Sequence, residues 1–206
     1  MRFSCVNVRH RDRFKSVKSV SDLTSYLAVQ ARGFSDVRVL VGSGLPTYET
    51  AGRSYLNLLD QARVDYLPRG LVNLEEECGP RAAQLGYGNV AVDRHLLIAY
   101  PNAFVFVINP KNQRLKLALQ RGLARAMADG SQRRLLQQRF FTPWLKQTLR
   151  LRDRRLLVLS TPETEALIRE TPPSSWLVPW NRLPRSTDPP VSAAILCQEP
   201  FFAPLC

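Results

Sequence analysis

The stretch from Asn112 to Phe141 constrains the fold of this chain most, because it reads as two amphipathic helices separated by one break. Gly130 ends the first helix, since glycine adopts the left-handed conformation without steric cost. Ser131 then caps the second helix. Apolar residues recur at three- and four-residue steps, which places them on one face of each helix: Leu115, Ala118, Leu119, Leu123, Ala126 and Met127, then Leu135, Leu136 and Phe140. We expect this pair to close the globular part and to cover one face of a sheet.

Short apolar strands alternate with helices in the residues before this pair. Tyr26–Gln30 and Val64–Leu67 are predicted strands, and Ala51–Ala62 is a predicted helix between them. Val90–Asn109 reads as two strands interrupted by Pro101 and Asn102, and its second half, Phe104–Ile108, is apolar enough to be central in a sheet. This alternation predicts an α/β fold, a central sheet with helices on both faces.

Two further segments have less regular patterns. Residues 33–43 are ambiguous, because Val37, Val39 and Val41 alternate like a strand whereas Ser35 and Asp36 resemble a helix start. Residues 71–85 read as a polar, acidic helix interrupted at Gly79 and Pro80.

The net charge of +12 is concentrated near the helix pair. Between Lys111 and Arg155 there are 13 Lys/Arg against only Asp129 and Asp153. One interpretation is a surface for nucleic acid, so a basic cytosolic nucleic-acid-binding protein is the alternative function. Aromatic residues are not interleaved with the arginines as a stacking platform requires, which favours a solvated helix face and makes a nucleic-acid partner the weaker interpretation.

Composition also limits the compartment and the kind of protein. Hydrophobic residues make up 45% of the 206, too many for a chain disordered throughout, and no apolar run reaches the roughly 20 residues that span a bilayer. The basic N-terminal segment lacks the apolar core of a signal peptide, so the sequence as written predicts a cytoplasmic protein. The four cysteines have no CxxC spacing, which favours free thiols over a zinc site, although Cys197 and Cys206 could form a disulfide bond.

The sequence predicts no enzyme, no metal site and no cofactor. No GxSxG, HExxH or phosphate-loop motif occurs. Glu75, Glu76 and Glu77 are consecutive, so on a helix they point in different directions and are predicted to form a solvated face. His95 reads as an ordinary residue beside a strand.

A binding site is better supported. Ligands of α/β sheets lie beyond the carboxyl ends of the strands, near helix N-termini, which here selects the loops Gln30–Asp36 and Pro68–Leu71. Gly33 permits a tight turn, and Ser35 offers a hydroxyl where free backbone N–H groups attract an anion such as a carboxylate. Arg69 could donate a bidentate pair to the same anion, and the alternative is a surface arginine in a turn.

Several motifs in order resemble the second lobe of bacterial extracellular solute-binding proteins of family 3, which serve amino-acid ABC transporters. The motifs span about Val17 to Trp176: Ser19-Val20-Ser21-Asp22-Leu23, the residues 56–65 LNLLDQARVD, Asp65-Tyr66-Leu67-Pro68-Arg69-Gly70, His95-Leu96-Leu97, Tyr100-Pro101 and the residues 128–140 ADGSQRRLLQQRF. The resemblance implies a lobe of the periplasmic-binding-protein type II class. It also favours a helix over Asp36–Val41, against local propensity.

The resemblance carries further expectations. It implies a non-enzymatic component that binds an amino-acid-like or small acidic solute through Gln30, Gly33, Ser35, Asp36 and Arg69, with an ABC transporter permease or a sensor as partner. It implies a periplasmic location, against the cytoplasmic prediction from the missing signal peptide. Family members close two lobes on the ligand, and the first lobe is absent here, so binding by this chain alone is expected to be weak. Amino-acid binders carry an acidic residue where this chain has Arg69-Gly70, which disfavours an α-amino acid.

Three regions are therefore predicted. Residues 17–141 form the α/β lobe, and residues 142–180 form a basic extension that packs on it. Residues 181–206 contain five prolines and no periodicity, which predicts a flexible, disordered tail.

Overall fold

Short strands alternate with helices in the computed structural model, which describes residues 1–184 and 191–206, so the chain has a mixed α/β fold as predicted. The strands are β1 Phe3–Asn7, β2 Ala28–Ala31, β3 Thr47–Thr50, β4 Leu67–Arg69, β5 Val90–Val92, β6 Leu96–Ala99, β7 Arg155–Val158 and β8 Val191–Ser192. The α-helices are α1 Ser35–Gly42, α2 Ser54–Asp60, α3 Leu71–Cys78, α4 Pro80–Gln84, α5 Gln113–Ala128, α6 Ser131–Phe140, α7 Pro143–Leu149 and α8 Pro162–Glu170.

Parallel pairing organises the first half of the chain. β2 pairs in parallel with β3, and a parallel bridge between Ala28 and Tyr66 joins β2 to the start of β4. β1 lies antiparallel between β4 and β5, which gives the strand order β4-β1-β5, and the bridge at Tyr66 places β2 and β3 beside β4. Because β2, β3 and β4 run in the same direction, their carboxyl ends meet at one edge of the sheet.

A second sheet continues from β1. β6 pairs in parallel with β7, and β7 pairs antiparallel with β8. Arg2 and Ile98 exchange two backbone hydrogen bonds of 2.6 and 2.9 Å, which attach β6 to the strand segment that contains β1. All four residues of β6 are fully buried. The predicted extension thus contributes β7 to a sheet through residues 155–158.

β1 corrects the predicted start of the lobe. All five residues from Phe3 to Asn7 are buried, and the strand has a partner on each side. The α/β body therefore includes residues well before 17. The sequence pattern does not predict this strand, because its apolar run is short and a basic segment follows it directly.

Three predicted helical segments are present. α1 forms over the ambiguous segment because a helix buries Val37 and Leu40, three residues apart, and leaves Val41 exposed. α2 forms within the predicted Ala51–Ala62. The acidic helix is interrupted where predicted, since Gly79 separates α3 from α4 and Pro80 is the first residue of α4.

The prediction of a central strand at Phe104–Ile108 is wrong. Both strands of this region, β5 and β6, lie before Pro101, and residues 101–109 belong to no helix or strand. The side chains of Phe104 and Val107 are 91% and 92% exposed. Apolar character alone predicted burial, but the described part of the chain places no sheet around this segment.

The helix pair forms as predicted, but its capping and packing differ. Gly130 has a φ of +73° and occupies the N-cap position of α6, so Ser131 is the first helical residue and not the cap. The Ser131 amide donates instead to Asp129 Oδ1 at 2.8 Å. No residue of α5 or α6 is buried, which contradicts the prediction that the pair covers the sheet.

The predicted disordered tail is ordered over residues 191–206. Leu196, Phe202 and Leu205 are buried, and the Phe201 ring lies 5.1 Å from that of Phe141 between centroids. The predicted flexibility of residues 185–190 lies outside the described residues. The tail was mispredicted because its apolar residues follow 3₁₀ turns and lack helical or strand periodicity.

The expectation of free cysteines is also wrong. Cys5 of β1 is bonded to Cys78 of α3, and Cys197 is bonded to Cys206. The first bond joins the central strand to a helix 73 residues away in sequence. Among the described residues, no helix is both long and apolar enough to cross a membrane.

Candidate functional site

Gln30 and Arg69, predicted from different loops, meet at the carboxyl ends of β2 and β4. Gln30 is fully buried in β2, and its Nε2 donates to the Pro68 carbonyl at 2.8 Å. Pro68 precedes Arg69, the last residue of β4. The parallel arrangement of the two strands therefore holds the two side chains at one edge of the sheet.

Arg69 is paired with Glu77, a residue that was predicted to be solvated. Arg69 Nη2 lies 2.5 Å from Glu77 Oε1, and both side chains are buried. The Tyr55 hydroxyl lies 3.2 Å from the same oxygen, and burial raises the pKa of Tyr55, so that hydroxyl remains a donor at neutral pH. Glu77 belongs to α3, where it shares a buried face with Leu74 and Cys78.

That shared face shows how Glu77 could have been recognised. Leu74, Glu77 and Cys78 follow i, i+3, i+4 spacing, which places Glu77 on the apolar side of its helix. Of three consecutive glutamates, only the one in register with the core is buried. The prediction that all three form a solvated face is wrong for Glu77.

Asp36 lies in a second charged cluster, at the first turn of α1. Arg2 Nε lies 2.6 Å from Asp36 Oδ1, and the Tyr100 hydroxyl donates to the same oxygen at 2.5 Å. Burial tends to raise the pKa of Asp36, but the charge and hydrogen bond of Arg2 outweigh it and hold that pKa below its usual value. The carboxylate is therefore ionised and held by groups of the chain itself.

Gly33 and Ser35 lie in the segment that leads from β2 into α1, beside this cluster. The Ser35 hydroxyl accepts a hydrogen bond of 3.2 Å from Asn102 Nδ2, so it faces the loop after β6. Gly33 has a φ of +84°, and open space surrounds the position that a Cβ would occupy. Phe34 lies between them, with its ring centroid 5.6 Å from the Arg69 guanidinium. The five predicted residues thus lie on two connected segments, but the charged groups among them already have partners.

Several buried polar atoms near this edge have no hydrogen-bond partner among the described residues. Gln30 Oε1, Arg69 Nε and Glu77 Oε2 are buried and make no hydrogen bond with the described residues. Thr50 Oγ1, at the end of β3, is also buried and makes no hydrogen bond with the described residues. Such atoms are uncommon in folded proteins, since each costs about 1–3 kcal/mol when left unpaired. The edge formed by β2, β3 and β4 holds both donors and acceptors in this state.

The charges at this edge balance. Arg2 and Arg69 supply two positive charges, and Asp36 and Glu77 supply two negative charges. A free anion therefore meets a neutral cluster and not the unpaired arginine that the sequence predicted. The arrangement suits a small polar solute that offers both donors and acceptors.

Other chemically active residues lie apart from this edge. His95 Nε2 lies 2.8 Å from Asp12 Oδ1 at the surface, and the hydrogen bond lowers the pKa of Asp12. Asp93 and Arg154 are buried together, with burial raising the pKa of Asp93 and lowering that of Arg154 to about 10. Within residues 1–184 and 191–206 there is no cluster of three metal-ligating side chains.

Comparisons with known proteins identify no family. No family model matches the chain, and no curated protein matches it. Among solved structures, the crystal structure of YckB from Bacillus subtilis is similar at 18% sequence identity and a TM-score of 0.40. The similarity covers 68% of this chain and 56% of YckB, so the matched region spans little more than half of that protein.

Proposed function

We propose that this chain is a non-enzymatic lobe that binds a small, amino-acid-like or acidic solute, as a component related to the solute-binding proteins of ABC transporters. The lobe would be of the periplasmic-binding-protein type II class. A transporter permease or a sensor would be its partner. The motifs that carry the resemblance support this proposal, and so does the order of strands with helices between them.

The observation that carries the proposal is the set of unpartnered polar atoms at the carboxyl ends of parallel strands. Gln30, Arg69 and Glu77 each present one buried atom that makes no hydrogen bond within residues 1–184 and 191–206. Ligands of open α/β sheets bind at such edges. A bound solute that paired with these atoms would recover part of the free energy that their desolvation costs.

The balanced charges refine the class of solute. Arg69 Nε, which has no partner in the described part of the chain, can donate to a carboxylate or amide oxygen. Glu77 Oε2, in the same part of the chain also without a partner, can accept from an ammonium or amide group. A solute with both kinds of group, such as an amino acid or its amide, satisfies more of these atoms than a dicarboxylate does. Glu77 thereby supplies the acidic residue that the sequence lacks at Arg69-Gly70.

Nuclear magnetic resonance titration of the Arg69 Nε–H signal tests the proposal. The full chain is titrated with a panel of amino acids, their amides and small carboxylic acids. We expect at least one of them to shift the Arg69 Nε–H and Gln30 side-chain signals saturably, with weak affinity on the order of millimolar, because one lobe covers only half of a ligand. An Arg69→Lys variant, which lacks Nε, should lose the shift at Gln30.

The matched control is Arg53→Lys, since Arg53 forms only an exposed pair with Glu76 at 3.6 Å. It should bind like the unmodified chain. If no member of the panel shifts either signal, the proposed solute class is wrong. Sub-micromolar binding would instead contradict the expectation that a single lobe binds weakly.

A further inference from the structure

The segment from Ala103 to Ile108 is paired with no strand among the described residues. None of its backbone groups forms a hydrogen bond with another of the described residues. The side chains of Phe104, Val105, Phe106 and Val107 are 91%, 74%, 66% and 92% exposed. Four large apolar side chains in succession, with unpaired backbone donors and acceptors, are the components of a strand that lacks its neighbours.

The sequence of this segment indicates what would cover it. Successive side chains of a strand point to opposite faces, so a run of Phe-Val-Phe-Val-Ile presents apolar groups on both. Runs of this kind are typical of strands that are buried on both faces. A partner that covers only one face would leave about half of the apolar surface in water. The segment therefore fits into a sheet that another folded body covers on both sides.

The charge around the segment favours one kind of partner. Residues 103–128 contain five basic residues and no acidic residue. The basic residues are all exposed: Lys111, Arg114, Lys116, Arg121 and Arg125. Leu115 and Leu117 of α5 are also exposed, so the surface of that helix carries apolar and basic side chains together. Two copies of this chain joined at this surface would bring like charges together, whereas an acidic partner would be attracted.

We infer that Phe104–Ile108 is a donor strand, which adds to an open sheet edge of a separate, acidic polypeptide domain. Backbone pairing supplies the register, the Phe and Val side chains fill that domain's two faces, and the basic residues of 111–125 contact its carboxylates. The inference depends only on this exposed surface. It is independent of whether the edge at Gln30 and Arg69 binds a solute.

Binding of a strand peptide to the full chain tests this inference. The probe is an acetylated, amidated and fluorescently labelled peptide, Glu-Val-Thr-Val-Thr-Val-Glu, and the matched control peptide has lysine in place of both glutamates. Fluorescence anisotropy at low salt should show that the acidic peptide binds at least about tenfold more tightly than the basic one. Hydrogen exchange should slow at the amides of Phe104–Ile108 when the acidic peptide is bound.

Three variants locate the binding. Val105→Pro removes a backbone donor from the centre of the segment and should weaken binding by about tenfold, whereas Val105→Thr keeps the donor and should bind nearly as well. The double substitution Arg114→Glu with Lys116→Glu should remove the preference for the acidic peptide. None of these side chains is buried, so circular dichroism should show an unchanged fold.

Four results would overturn the inference. Equal binding of the two peptides would remove the role of charge, and equal binding by Val105→Pro and Val105→Thr would remove strand pairing. A dimer of the unmodified chain that Val105→Pro abolishes would show that a second copy occupies the surface. Salt-sensitive binding of a DNA duplex that protects residues 104–108 would assign the surface to nucleic acid.

Discussion

β6 and the segment Phe104–Ile108 are close in sequence and similar in composition, yet their environments are opposite. Leu96–Ala99 is fully buried and paired with β7, whereas Phe104 and Val107, a few residues later, are almost fully exposed. Pro101 lies between them and is itself buried. An apolar run therefore determines how much surface must be covered, while the neighbouring strands determine whether this chain covers it.

Proline substitution should give the largest difference in stability between β6 and the segment Phe104–Ile108. Leu97 is central in β6, opposite Leu156 of β7, so Leu97→Pro should cost more than about 3 kcal/mol and prevent folding. Val105→Pro should change the free energy of unfolding by less than about 0.5 kcal/mol, because its amide has no partner in the described chain. Urea unfolding followed by circular dichroism measures both. A comparable loss in the two variants would contradict the contrast.

Side-chain truncation should show a smaller difference. Leu156 of β7 is fully buried, so Leu156→Ala should cost about 3 kcal/mol by leaving a cavity. Leu117 of α5 is about half exposed, and Leu117→Ala should cost less than about 0.5 kcal/mol. Thermal unfolding of both variants measures these two losses of stability. A large effect of Leu117→Ala would mean that α5 packs against the body more closely than its exposure indicates.

Removing a buried charge should also cost more stability than removing an exposed one. Asp36→Asn leaves Arg2 without its carboxylate in a mostly buried position, which should cost about 2 kcal/mol. Arg114→Gln, on the exposed face of α5, should stay within about 0.5 kcal/mol of the unmodified chain. Chemical denaturation at neutral pH compares the two. Equal effects would show that the Arg2–Asp36 pair behaves as a surface pair.

The smallest expected effect is a dependence of the stability on pH, which Asp36 supplies. Because the folded-state pKa of Asp36 lies below its unfolded value, its contribution to stability is present above about pH 4 and is lost as the pH falls through the folded pKa. The difference in stability between the unmodified chain and Asp36→Asn should therefore shrink between pH 5 and about pH 2. Unfolding measured along this range provides the check, and a difference that grows on acidification would contradict the direction of the shift.

Periodicity predicted the elements whose cause is local. The helix pair, the Gly79–Pro80 interruption and the mixed α/β class follow from spacing, glycine and proline. The resemblance correctly favoured a helix for α1, where the alternating valines indicated a strand. Here tertiary packing decides, because a helix buries Val37 and Leu40 against the sheet.

The parts that the sequence did not predict depend on partners distant along the chain. Gln30 and Arg69 were predicted to lie at one edge, but the pairing of Arg69 with Glu77 and of Asp36 with Arg2 was not. β1 was missed because its burial results from strands that come more than 60 residues later. Likewise, the apolar character of Phe104–Ile108 does not specify which polypeptide provides the neighbouring strands.

Hydrogen exchange of the backbone amides tests the central contrast most directly. In the unmodified chain at neutral pH, the amides of β6 should exchange only through global unfolding, whereas those of Phe104–Ile108 should exchange at the rate of an unstructured peptide. A similar protection of both segments would contradict the account, because it would show that this chain already supplies the strands that cover Phe104–Ile108.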